Sequence, residues 1–174
     1  MAEQTQEDPK LADLHVAMGE FLTECSKLEN VLITMMMFCQ NTKHFTEVYL
    51  AMLNETFGTR IKEFKKSIQN YAFSPEHRAA LDTATKALDD LLPRRNLIVH
   101  GSTYQVGFGG APPEAYRIGA PKGDQEFLNE FMRQQGNVEH SFTASRIRRA
   151  TADCKSISAM ISPITTHLVQ LMAN

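Results

Sequence analysis

Residues 11–39 read LADLHVAMGEFLTECSKLENVLITMMMFC, and this stretch decides the fold. Apolar side chains fall at Leu11, Leu14, Met18, Phe21, Cys25, Leu28, Leu32, Met35 and Cys39, in steps that alternate between three and four. That rhythm puts all nine on one stripe of an α-helix. In its second half the stripe widens. Val31-Leu32-Ile33-Thr34-Met35-Met36-Met37-Phe38 is apolar nearly all round, so it must be covered on several sides. The prediction is a long first helix at the centre of a bundle, with a second subunit as one candidate cover.

The pattern continues outward from this helix. Lys43 to Glu55 reads as a shorter helix with Phe45, Val48, Met52 and Leu53 inward. Phe57, Ile61, Phe64, Ile68 and Tyr71 mark a third, broken from the second near Gly58. Its outer face carries Lys62, Lys65 and Lys66, read as a solvated face. Ser74-Pro75-Glu76 is a helix start: a capping hydroxyl, proline in the first turn and an acid behind it. That helix runs through Leu81, Ala84, Leu88 and Leu91, and Arg95 is next in the same register. A charge that extends an apolar stripe is expected to point into a groove or interface.

From Gly101 to Gly136 the composition changes, with seven of the nine glycines and three of the seven prolines. Thr103–Val106 and Ala115–Ile118 alternate like strands and flank Gly109-Gly110-Ala111-Pro112-Pro113, which predicts a small hairpin. Asp124 to Arg133 reads as a short helix. A last long helix starts near Thr143 or Ser145 and carries Ile147, Ala150, Cys154, Ile157, Ile161, Ile164, Leu168 and Leu171 on one stripe. Pro163 is expected to kink it. The fold class is therefore mainly all-α: an antiparallel up-and-down bundle of four to five helices, with a β-hairpin-containing insertion (101–142) before the last helix. Residues 1–174 read as a single domain with a disordered tail at 1–8.

Composition sets limits on function. The chain has 174 residues, 43% of them hydrophobic and 22% charged, enough for a real core. A net charge of −2 argues against a general nucleic-acid coat, while leaving room for one local basic patch. The three cysteines, Cys25, Cys39 and Cys154, lie on the apolar stripes. They form neither a disulfide framework nor a metal-binding spacing, and they read as buried small hydrophobes in a reducing, cytoplasmic setting. Residues 1–10 do not resemble a signal peptide, and Val31–Cys39 is too short to span a bilayer, so no membrane is expected. His15, His44, His77, His140 and His167 show no HxxxH or HExxH spacing, and no glycine run has phosphate-loop order. Neither a metal nor any other cofactor is predicted.

One stretch looks chosen for chemistry: Arg94-Arg95-Asn96-Leu97-Ile98-Val99-His100-Gly101. Read from Arg95, it is arginine, a polar residue, three apolar residues, histidine and glycine. At the end of a core helix, after other helices and with Leu28-Glu29 in the first, it resembles the HEPN superfamily (higher eukaryotes and prokaryotes nucleotide-binding domains). The resemblance covers roughly residues 10–101 and 143–172. It implies a homodimeric, metal-independent endoribonuclease, of the kind found among toxins and phage-defence proteins, with a possible antitoxin partner. In that chemistry the ribose 2′-hydroxyl attacks the adjacent phosphate, leaving a 2′,3′-cyclic phosphate and a 5′-hydroxyl. By position, the resemblance makes His100 the general acid or base, Arg95 the stabiliser of phosphorane charge and Asn96 the residue that orients the site. Arg94 is the alternative arginine.

The residue types suit the task. Histidine exchanges a proton near neutral pH. Arginine stays charged and offers a fork of donors that fits phosphate oxygens. On an ideal helix, however, Arg95 and His100 stand about 140° apart, whereas Asn96 and His100 share a face. The site thus needs the helix to end near Gly101, or a second subunit to complete it. Pro93 predicts a break at Leu92 or a re-aimed turn. Basic residues in a last turn also have a simpler use, complementing the helix dipole. Glu29, on the flank of the first stripe, either pairs with Arg95 or His100 or is an exposed acid on the rim. Arg146, Arg148 and Arg149 open the last helix, where basic residues oppose the dipole. They read as RNA-phosphate contacts or as a solvated face paired with acids such as Glu139. The rival to the enzyme is a non-catalytic dimeric interaction or regulatory module on the same fold, favoured by Pro93 and the acidic net charge. The insertion 101–142 is expected to cover the site or gate it.

Overall fold

The computed structural model describes residues 8–40, 44–119 and 125–173. The expected tail up to residue 7 and the expected helix starts at Lys43 and Asp124 lie outside the described residues. Within them the chain forms α1 (Pro9–Cys39), α2 (Phe45–Leu53), α3 (Phe57–Gln69), α4 (Pro75–His100), β1 (Ser102–Val106), β2 (Glu114–Ile118), α5 (Gln125–Arg133), β3 (Ser141–Phe142) and α6 (Ala144–Ala173). The fold is mainly α, with a small antiparallel sheet inserted before the last helix. Two compact units share the chain. One takes the chain up to Leu22 together with Pro93–Thr151; the other takes Thr23–Leu92 and the chain from Ala152 onward.

The second unit is helical, and its contacts fix the helix directions. The Phe38 and Phe45 rings meet edge to face at 5.2 Å, and Tyr49 Oη donates to Asn30 Oδ1 at 3.0 Å. Later residues on α2 thus meet earlier ones on α1, and α2 runs back along it. Glu29 pairs with Arg60, and Gln40 Nε2 donates to Ser67 Oγ at 2.8 Å, so α3 climbs in step with α1. Arg78, in the second turn of α4, reaches the carbonyls at the end of α3, and Lys65 pairs with Asp89, so α4 runs back along α3. This is the up-and-down order. The stripe of α1 is buried at Cys25, Leu28, Leu32 and Met35, and Met36 and Met37 are buried as well. The all-round apolar half of α1 is therefore covered, as its sequence requires. Cys25 Sγ lies 3.6 Å from Cys154 Sγ in this core. Cys39 is half-buried, and burial pushes its thiol up to about 11.

Local chemistry fixes the ends of α3 and α4. Thr56 caps α3 by accepting from the Thr59 N–H, and Ser74 Oγ accepts from the His77 N–H at 3.3 Å, one residue before α4 begins at Pro75. Pro93 does not break α4. It lies inside a continuous helix with its ring exposed, so the cost is one missing bond to the Asp89 carbonyl and not a buried clash. Pro163 likewise sits exposed inside a continuous α6.

The first unit holds the sheet, in the order β1-β2-β3. β1 and β2 pair antiparallel from Ser102↔Ile118 to Val106↔Glu114, and β3 adds Arg117↔Phe142 and Ile118↔Ser141. Between β1 and β2, Gly109 and Gly110 both have positive φ, inside a turn closed by Ala111 N–H to Phe108 C=O at 3.0 Å. Left-handed backbone at both central positions is the glycine-favouring form of a primed turn. Tyr116 and Ile118 project from one face of β2 into a small core with Phe131 and Val138. Strand alternation sends Arg117 to the opposite face.

Candidate active site

The last two turns of α4 carry every residue of the predicted motif. Leu81, Ala84, Leu88, Leu91 and Ile98 are all 1% exposed or less, in steps of three, four, three and then seven. Arg95 occupies the position that divides the seven into four and three. Its side chain therefore leaves the helix along the apolar stripe, and its Nε is closed off from solvent. Its Nη1 donates to Asn96 Oδ1 at 3.4 Å. His100 is the final helical residue and is exposed, and Asn96, one turn earlier, is exposed too. Asn96 and His100 share a helical face, with Arg95 turned toward the stripe beside them. Arg94 is half-buried.

Gly101 and the neighbouring strand end the helix at His100. The Gly101 N–H still donates to the Leu97 carbonyl at 2.9 Å. A side chain at Gly101 would place its Cβ 2.5 Å from the Ile118 carbonyl oxygen, so only glycine lets β2 approach the helix this closely. Arg117 then locks the junction. Its Nε donates to the Ile98 carbonyl at 2.8 Å, its Nη2 to the Val99 carbonyl at 2.9 Å and its Nη1 to Thr103 Oγ1 at 3.2 Å. These carbonyls are among the last four of α4, which have no partner within the helix. The guanidinium also sits at the negative end of the helix dipole. Burial lowers the proton affinity of Arg117, but an arginine remains charged at neutral pH. The hairpin thus fastens the turn that carries His100, a role that no spacing in the sequence announced.

The remaining predicted residues make the following contacts. Glu29 pairs with Arg60, which is 7% exposed and also donates Nε to the Met52 carbonyl and Nη2 to the Leu53 carbonyl, each at 2.7 Å. Its carboxylate therefore serves the end of α2. Arg146 spends its Nη1 on the Val138 carbonyl at 2.7 Å and lies over the Phe142 ring. Burial, then the neighbouring Arg149, lower its proton affinity. Arg148 is bound to Asp13 and reaches Glu20 at 3.8 Å. Arg148 thus follows the acid-paired reading of this cluster, with Asp13 and Glu20 as its acids, and Arg146 is tied to backbone. Arg149 is exposed. Among the described residues, no group of three or more metal-ligating side chains could hold a metal ion, and no helix is long and apolar enough to cross a membrane.

No protein-family model, curated protein or solved structure matches this chain.

The chemical capacity of the α4 end therefore rests on its own residues. It combines an exposed imidazole that can move a proton, an amide on the same face, and a guanidinium beside them whose inner nitrogen is dry. Fixed backbone holds the three, since Gly101 and Arg117 clamp the turn. Preorganised donors of this kind act on charge that develops during a reaction.

Proposed function

We propose that the chain is a metal-independent endoribonuclease of the HEPN type, acting as a cytoplasmic homodimer. The observation that carries the reading is the seat of Arg95. A guanidinium occupies a core-stripe position, with Asn96 hydrogen-bonded to it and the exposed His100 closing the same helix. A helix end in need of a basic cap would engage its last carbonyls. Arg117 already holds two of those, so the cap is supplied from β2.

In the proposed reaction His100 accepts the proton of a ribose 2′-hydroxyl, or delivers one to the departing 5′-oxygen. The 2′-oxygen forms a bond to the adjacent phosphorus as the P–O5′ bond breaks. The products are a 2′,3′-cyclic phosphate and a 5′-hydroxyl. Arg95 meets the extra negative charge on the phosphorane, and Asn96 orients the guanidinium. A second copy of the chain brings a second His100, so that one can act as base and the other as acid. A role among toxins or phage-defence proteins, with a protein antitoxin, rests on the resemblance alone.

The second reading is a non-catalytic dimeric module. It draws support from α2, where no residue is buried and Leu50 and Leu53 stand 55% and 42% exposed. The two readings separate in one assay. Pure protein in EDTA is incubated with a mixed RNA pool beside His100→Ala and Arg95→Ala. The enzyme reading expects cleavage that each variant loses by about 100-fold or more, the usual scale of acid–base catalysis. Absence of cleavage at enzyme excess by a protein that sediments as a dimer would leave the module.

A further inference from the structure

Outside the motif, the helical unit carries an open groove of about 390 Å³ between α3 and α4. One wall is the outer face of α3, where Lys62, Lys65, Lys66 and Gln69 line the groove in steps of three, one and three. Ile61 and Leu92 form an apolar floor, and Gly58 adds no side chain at one end. In a chain of net charge −2, three ammonium groups on a single wall stand out as a local reversal of sign. Asp89 is the carboxylate among the lining residues. It pairs with Lys65, whose side chain is 31% exposed, and so fixes one ammonium against the groove. Lys66 is 71% exposed and meets Glu63 only at 4.0 Å. Lys62 is exposed as well.

Lys62 and Lys66 are four residues apart on one face, so their stems are separated by about 6 Å along the helix axis. That is close to the step between successive phosphates of an extended strand. The floor has no aromatic ring on which a base could stack and one amide, Gln69, to offer to a base edge. Contacts from ammonium groups to a phosphodiester backbone position it without reading sequence. We infer that the α3–α4 groove is a docking track for the backbone of single-stranded RNA, held by Lys62 and Lys66 with Lys65 fixed between them. The choice of RNA as the polyanion rests on the ribonuclease reading; the site itself rests on the groove.

The test is fluorescence anisotropy with a labelled 12-nucleotide single strand whose riboses are 2′-O-methylated. That strand has no free 2′-hydroxyl and cannot be cut, so binding is read apart from cleavage. The wild type is expected to bind. K62E/K66E is expected to bind at least tenfold more weakly, and the slope of log K against log salt falls by about 1.4, the share of two phosphate contacts on a single strand. K62Q/K66Q, which avoids reversed charge, is expected to lose at least threefold. The charge-matched control K27E/K155E, at exposed positions on α1 and α6 that do not line the groove, stays within twofold. Binding by K62E/K66E equal to wild type overturns the inference, as does an equal loss in the control or no binding by the wild type. Competition by polyglutamate as effective as competition by RNA also overturns it, by making the groove a site for acidic protein. Loss of cleavage in His100→Ala is scored separately. Binding without cleavage sinks the nuclease reading and keeps the groove, and cleavage without groove binding does the reverse.

Discussion

Among the described residues three helix ends are held by an arginine from another element, Arg78 at the end of α3 being one, and the other two differ in how the charge is balanced. At the end of α2, Arg60 donates to the Met52 and Leu53 carbonyls while its third face meets the Glu29 carboxylate. At the end of α4, Arg117 donates to the Ile98 and Val99 carbonyls, and its remaining contact is the neutral Thr103 hydroxyl. The first is a buried ion pair that serves the core. The second leaves its positive charge to the helix dipole, beside the exposed His100. A clamp without a carboxylate leaves the α4 end positive, as the proposed anionic substrate requires; Arg78 on the Ile68 and Tyr71 carbonyls also lacks one, so the feature alone does not mark a site.

The largest effect is expected at Arg60. Arg60→Met removes one member of a buried pair and takes the Arg60 guanidinium from Glu29, which costs about 3–5 kcal/mol. Chemical denaturation should show that loss, and the double variant Glu29→Met/Arg60→Met should recover most of it, because an apolar pair of similar volume is often neutral. If the single and double variants lose stability equally, the ion pair is not what distinguishes the α2 end.

Arg117→Ala is expected to cost less, about 1.5–3 kcal/mol for hydrogen bonds from a charged donor, and nearer the lower figure because water reaches a half-buried site. RNA cleavage should fall further than this stability loss explains, since the turn bearing His100 is no longer held. Arg117→Lys should not restore cleavage, because an ammonium cannot fork to two carbonyls. Full activity in Arg117→Ala at a temperature where it is folded would break the proposed link between the α4 clamp and the site.

The smallest effect belongs to α5, whose end is closed by its own chain. Gly136 N–H reaches the Phe131 carbonyl at 2.8 Å and Gln135 N–H the Met132 carbonyl at 3.3 Å, the paired bonds of a Schellman ending. Its last-turn Arg133 binds Glu130 instead of a carbonyl. Hydrogen bonds from Arg133 and then Gln134 hold the Glu130 carboxyl down at about 2, against an ordinary 4.5. A depressed carboxyl stabilises the fold above its ordinary value, and that contribution is lost as the pH falls from about 4.5 through 2. The pair is exposed, so the effect is small. Glu130→Gln should flatten acid denaturation in that window and cost a small amount of stability at pH 7, where the contribution is fully present; an unchanged slope between about pH 4.5 and 2 would show that the pair is not coupled to folding.

The helices were legible because burial on one side imposes a period. The stripes of α1, α4 and α6 predict the elements within a few residues, and Ser74-Pro75 predicts the start of α4. The hairpin was legible from alternation on either side of Gly109-Gly110. β3 was not, since two residues carry no period. Pro93 misled because the cost of a proline depends on which side of the helix its ring faces, and the exposed side is the cheap one. The motif residues were legible by type and place, and the anomaly of Arg95 in an apolar stripe survives in the structure. The clamps were hidden for a physical reason. Arg60 and Arg117 bind mostly backbone carbonyls, which leave no residue signature, and Glu29 finds its partner across 31 positions of chain. Arg146 and Arg148 left two readings open in the sequence, because a basic cluster looks the same whether its charges are spent on Val138 and Asp13 or kept for phosphate.

The most direct test of the central claim is the chemistry of the cut ends. RNA treated with the protein in EDTA is examined by mass spectrometry, with His100→Ala as the blank. The account predicts fragments ending in a 2′,3′-cyclic phosphate and beginning with a 5′-hydroxyl, present with the wild type and missing with the variant. Fragments that carry a 5′-phosphate and a 3′-hydroxyl, or the same fragments from His100→Ala, would contradict it.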